Sequence, residues 1–142
     1  MSRTHIPAAL RELVRQRAGD RCEYCLTPEI AMLESHQLDH IVPEKHDGPT
    51  AAPNLALACI TCNLAKGTDL AAIDPASGRR VDVFHPREQK WSDHFAFKGN
   101  RVEPLTATGR ATARLLQLNS PFKLRQRQFL MAAGVMPPHK SR

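Results

Sequence analysis

Two Cys-x-x-Cys pairs, Cys22-Glu-Tyr-Cys25 and Cys59-Ile-Thr-Cys62, hold every cysteine of the chain and stand 33 residues apart. Four thiolates in two tight pairs suit one tetrahedral zinc ion, because each turn aims two sulfurs at the same point. The other uses of such pairs are disulfides, which need an oxidising compartment, and a redox Cys-x-x-Cys. Structural zinc is the reading adopted, and its binding contributes ~10 kcal/mol or more to folding. The 33 residues between the pairs are then a structured insertion held at its base.

A chain of 142 residues is expected to form a single domain over 1–142, with a core over 20–70 and an extension over 71–142. No apolar run approaches the ~18 residues of a membrane span, and the first twenty residues carry charges throughout, so a cytoplasmic setting is expected. The charge is uneven. Residues 1–21 carry net +3, residues 22–100 net −4 and residues 101–142 net +7. Basic flanks of this kind draw a polyanion, since Lys and Arg release counterions from a phosphate backbone. Solubility alone explains them equally well.

Apolar spacing predicts a helix over 7–18, with Pro7 at its first position and Gly19 beyond its end. Leu33 to Val42 reads as extended, 43–49 as a loop, 54–58 as a second strand and 60–66 as a helical turn stopped by Gly67. A hairpin is expected over 74–86, and another in which 94–98 and 101–105 flank Gly99-Asn100. Two helices follow, one capped by Thr106 or Thr108 and one begun by Ser120-Pro121, carrying Arg110, Arg114, Lys123, Arg125 and Arg127. Trp91, His94, Phe95 and Phe97 are read as core. The fold class is α+β.

Between and beside the cysteines stand Asp39-His40, Asn54 and Asn63. The runs LDHIVPEKHDGP and PNLALACITCNLAKG resemble the HNH endonuclease family. The resemblance implies a ββα-metal unit with a structural zinc, in which His40 is the general base, Asp39 and Asn63 hold a catalytic Mg²⁺ or Mn²⁺, and Asn54 fixes the loop between strand and helix. The chemistry agrees with that assignment. Phosphodiester hydrolysis needs a proton acceptor for the attacking water and charge neutralisation at the leaving oxygen. A carboxylate and an amide oxygen form a hard, incomplete site of the kind Mg²⁺ or Mn²⁺ occupies with retained waters.

DNA is the expected partner, with Lys66, Arg110 and Arg114 as candidate contacts and His36 and His46 as packing and loop residues. The rival is a zinc-stabilised nucleic-acid-binding module without catalysis, against which an unpaired carboxylate beside phosphate argues. Substitution of Asp39 or His40 is expected to leave the fold intact, since the zinc is a separate site. The oligomeric state is left open.

Overall fold

A computed structural model describes residues 5–138. Helix α1 (Ala8–Ala18) buries Val14 and Ala18 and leaves Leu13 exposed. Pro7 lies one position earlier than expected, in extended backbone (ψ 148°) as the N-cap. Gly19 ends the helix at φ 63°, and the amides of Gly19 and Asp20 close it by donating to Gln16 O and Arg15 O.

Strands β1 (Gln37–His40) and β2 (Leu55–Ala58) pair antiparallel, with Asp39 opposite Ala56 and His40 opposite Leu55. The first strand is shorter than the expected 33–42. Leu33 is fully exposed, and a 3₁₀ turn at Glu29–Ala31 occupies the approach. All four residues of β2 are buried because the hairpin is covered on both faces. Leu55, Leu57 and Leu38 pack with Ile6 and Val14 beneath α1, while Ala56 and Ala58 join the cysteines and Tyr24 on the other side. The first cysteine pair is tied to β2 through Glu23, whose amide donates to Leu57 O and whose carboxylate accepts from Leu57 N.

Helix α2 (Ile60–Lys66) starts at Cys59, whose sulfur accepts from Cys62 N at 3.5 Å. The first pair repeats this geometry, Cys25 N donating to Cys22 Sγ at 3.5 Å. Beyond α2, β3 (Ala71–Ile73) and β4 (Arg80–Asp82) form a hairpin that begins earlier than expected, its turn held by Asp74. Helix α3 (Trp91–His94) takes His94 out of the following strand, and β5 (Phe95–Lys98) pairs with β6 (Arg101–Pro104) across Gly99-Asn100. Helix α4 (Ala107–Leu115) is capped by Thr106, and α5 (Pro121–Ala132) by Ser120.

The extension does not stand apart from the first half of the chain. Phe84, Trp91, Phe95, Val102, Leu116 and Leu118 share one buried cluster with the cysteines and Ile41, and the Trp91 indole donates to Tyr24 O at 2.9 Å. Among the described residues the architecture is α+β, three small antiparallel hairpins framed by helices. No helix among the described residues is long and apolar enough to cross a membrane.

Candidate active site

The four cysteine sulfurs lie within 4.8 Å of one another and are buried. Tetrahedral zinc with ~2.3 Å Zn–S bonds separates its sulfurs by about 3.8 Å. Cys25 and Cys59 stand 3.7 Å apart, so the donor set fits the ion. Hydrogen bonding among the sulfurs holds Cys59 at about 7, below the usual thiol range, and also pulls Cys25 well down.

A buried cation hydrogen-bonds this cluster. Lys123 of α5, 6 % exposed, donates from Nζ to Cys62 Sγ at 3.1 Å. Burial alone pulls its pKa down, but the facing sulfurs of Cys25, Cys62 and Cys59 more than reverse this and keep the ammonium charged. A tetrathiolate zinc site carries two net negative charges, and Lys123 offsets one of them.

Adjacent residues of a strand point to opposite faces, so the Asp39-His40 pair divides its chemistry between the two sides of β1. Asp39 turns toward α2 and is 6 % exposed. Its Oδ2 accepts from the Tyr24 hydroxyl at 2.7 Å and lies 3.2 Å from Lys66 Nζ. Burial, with the Asp39 carboxylate beside it, pushes the Tyr24 hydroxyl well above its ordinary range, so it remains a donor. The Asp39 carboxyl is itself raised by burial, against the pull of Lys66 and Tyr24.

Lys66, expected at a substrate phosphate, is 2 % exposed and points inward. Its ammonium also contacts Ile41 O at 3.0 Å and His40 O at 3.4 Å. Three residues beyond Asn63 is nearly one turn, so Lys66 stands beside Asn63 on the side of α2 that faces β1. Asp39 is therefore not the unpaired carboxylate that the sequence implied.

His40 turns toward the loop that follows β1. Its Nε2 lies 2.8 Å from Thr50 Oγ1 and 3.5 Å from Glu44 Oε1. When Nε2 carries the proton and donates to Thr50, Nδ1 keeps the lone pair that a base requires. That loop is fixed by Asn54, which is 6 % exposed: Oδ1 accepts from Val42 N at 2.8 Å, and Nδ2 donates to Val42 O and Pro49 O, each at 2.9 Å. Gly48 passes so close that a Cβ there would stand 1.6 Å from Val42 O. Asn54 thus acts on the loop, through contacts inside the protein.

Asn63, on α2, donates from its amide nitrogen to Gln37 Oε1 at 2.6 Å, and its oxygen is the atom a hard cation takes. Asp39, His40 and Asn63 all line one cleft of about 990 Å³ along the free edge of β1, together with Arg11, Arg15 and Lys45. His36 also borders it, but its ring is 2 % exposed and bonded to Thr27 O at 2.9 Å. His46 sits in the exposed loop, 3.2 Å from Thr68 O.

Of the C-terminal cations, only some face outward. Arg114 and Arg125 are exposed. Arg110 is held by Asp74 through two hydrogen bonds of 2.8 and 3.0 Å, and Arg127, 2 % exposed, donates to Asn100 O and Leu118 O. The expected phosphate contact at Arg110 is therefore engaged within the fold. Tyr24, Glu44 and Thr50 escaped the sequence reading. Tyr24 had a signal, its place inside the first cysteine pair; Glu44 and Thr50 reach His40 only through the path of the loop.

The family model of HNH endonucleases matches residues 22–69, the span that runs from the first cysteine pair through the hairpin and α2. The matching segment is similar to an HNH module and carries the four-cysteine cluster, and the match supports a nuclease-type function in general. No curated protein and no solved structure matches the chain.

Proposed function

We propose that the chain is a metal-dependent endonuclease that hydrolyses phosphodiester bonds in DNA, with His40 as general base and Asp39 and Asn63 as ligands of a catalytic Mg²⁺ or Mn²⁺. The observation that carries this reading is the single cleft lined by an imidazole, a carboxylate and an amide beside Arg11, Arg15 and Lys45. Lys45 of the loop and Arg11 of α1 favour a phosphate backbone laid along β1, while Arg15 is held by Glu29. His40 Nδ1 takes the proton of the attacking water, while Thr50 holds the opposite nitrogen and Glu44 stands ready to stabilise the imidazolium that forms. Asp39 and Asn63 offer the two hard oxygens from α2's side of the hairpin. A divalent ion bound there supplies charge neutralisation at the leaving oxygen.

One observation favours the alternative, a zinc-stabilised nucleic-acid-binding module without catalysis. Lys66 and Tyr24 already satisfy Asp39 from inside the protein. Incubation of supercoiled plasmid with the protein and Mg²⁺ or Mn²⁺ separates the two. The enzyme nicks or linearises the plasmid, and His40→Ala lowers the rate by roughly 10²-fold to 10⁴-fold while metal and DNA still bind. Binding without cleavage under either metal selects the alternative.

A further inference from the structure

Helix α5 presents an outer face that the proposed cleft does not use. Phe122 is 55 % and Phe129 76 % exposed, and neither ring belongs to a core cluster. On a helix of 3.6 residues per turn, Phe122, Arg125 and Phe129 stand at i, i+3 and i+7 and share one stripe. Arg125, between the two rings, is exposed, and the β5–β6 turn brings the exposed Arg101 to the same helix, where Asn100 O accepts from Arg127.

The exposed charges that the structure places on this stripe and at the adjoining turn are cationic, Arg125 and Arg101, while Lys123 and Arg127 of the same helix are buried. Such a surface repels a partner with basic character and matches a polyanion. Its rings add what phosphate contacts alone do not require, flat apolar faces in water. Aromatic rings interleaved with cations are the physical means by which proteins hold unpaired nucleotides, since every base has a face that stacks. The two phenylalanines are separated by about 10.5 Å along the axis, or about three base rises of ~3.4 Å.

The stripe is also rigidly joined to the HNH module. Lys123, next to Phe122, anchors α5 to Cys62, and Cys62 precedes Asn63 of the cleft. We infer that the Phe122–Arg125–Phe129 face of α5 is a second nucleic-acid contact that binds a single-stranded segment by stacking its bases. The inference rests on the nucleic-acid reading given above, and it assigns that reading a preference for substrates with unpaired bases, such as flaps, gaps or junctions.

Binding is measured in the full chain without added divalent metal, so that cleavage plays no part. The probes are a fluorescent oligothymidylate of about 20 nucleotides, the matching oligouridylate, an abasic strand of equal length and a duplex. The wild type is expected to bind the base-bearing single strands more tightly than the abasic one. The double variant Phe122→Ala/Phe129→Ala is expected to lose at least roughly tenfold in affinity for those strands and to bind the duplex as before, and Phe122→Tyr/Phe129→Tyr to restore the loss. Both rings are exposed, and circular dichroism of the variants checks that the fold is kept.

Unchanged single-strand affinity in the alanine variant overturns the proposal, as does equal binding of the abasic strand. Loss of a concentration-dependent dimer on sedimentation, with affinity unchanged, overturns it in favour of a second copy of the chain on this face. A protein that binds single strands through these rings but cuts no plasmid would leave this inference standing and remove the catalytic reading instead.

Discussion

The Lys66 ammonium lies 3.2 Å from the Asp39 carboxylate, with 2 % and 6 % of the two side chains exposed. The pair ties the end of α2 to β1 directly behind His40, and Tyr24 completes it from the first cysteine pair. On the proposed reading, structural and catalytic demands therefore meet on one carboxylate.

Removing the lysine leaves a buried carboxylate without its counter-charge. Lys66→Met is expected to cost about 3–5 kcal/mol of stability, read from urea unfolding of the zinc-loaded protein. Adding Asp39→Asn to the same chain should recover part of the loss, because the uncompensated charge is gone. Asp39→Ala, which the sequence alone treated as structurally silent, is likewise expected to lower the unfolding midpoint. Midpoints equal to that of the wild type would show that the pair contributes nothing to the fold.

The zinc cluster gives a prediction through Lys123. A group that donates a hydrogen bond to a metal-bound sulfur typically affects metal affinity by 10–100-fold. Lys123→Met is expected to release zinc to a competing chelator at a correspondingly lower chelator concentration, with Lys123→Arg intermediate. Cys59→Ser should go further and leave less than one zinc per folded chain, with a large loss of helical signal. Zinc retention identical in Lys123→Met and the wild type would mean that the 3.1 Å contact does not stabilise the site.

Thr50 tests how His40 is presented. If the hydroxyl fixes the ring so that Nδ1 faces the attacking water, Thr50→Ala lowers kcat on the order of tenfold, well short of removing the base, with KM little changed. Thr50→Ser keeps the hydroxyl and should keep the rate. Equal rates in Thr50→Ala and the wild type would assign the orientation of His40 to other groups.

Acid stability is predicted by Glu29, whose carboxyl the hydrogen bond from Arg15 holds below the ordinary value of 4.5, with the His36 amide adding to the effect. A carboxyl depressed in the folded state stabilises the fold above the unfolded value and loses that contribution as pH falls through the folded one. Both side chains are about a quarter exposed, so solvent screening limits the pair to about 0.5–1 kcal/mol. Glu29→Gln should therefore be less stable than the wild type at pH 7, with the difference closing as pH falls below 4.5. A difference that stays constant down to pH 2 would refute the ion pair as its source.

The paired cysteines, the Asp39-His40 dipeptide and the spacing to Asn63 are local patterns, and local chemistry made them legible. A Cys-x-x-Cys turn needs only its own backbone to aim two sulfurs at one ion, and the helix caps Thr106 and Ser120 satisfy amides within three residues of themselves. The order of elements followed for the same reason. What no local pattern contains is the direction of a long side chain. In the sequence Lys66 reads as a surface cation for phosphate, and Lys123 and Arg127 as part of the basic C-terminal helices, yet each is buried against a partner that is at least nine residues away. A charge enters the interior only where distant carboxylates, sulfurs or carbonyls converge on it, and that convergence is a property of the packed chain. The same holds for the loop that brings Thr50 to His40. The sequence by itself determined which atoms are present for metal binding and, on the proposed reading, for proton transfer; the tertiary structure decided which of the surrounding charges hold the fold together and which are left on the surface.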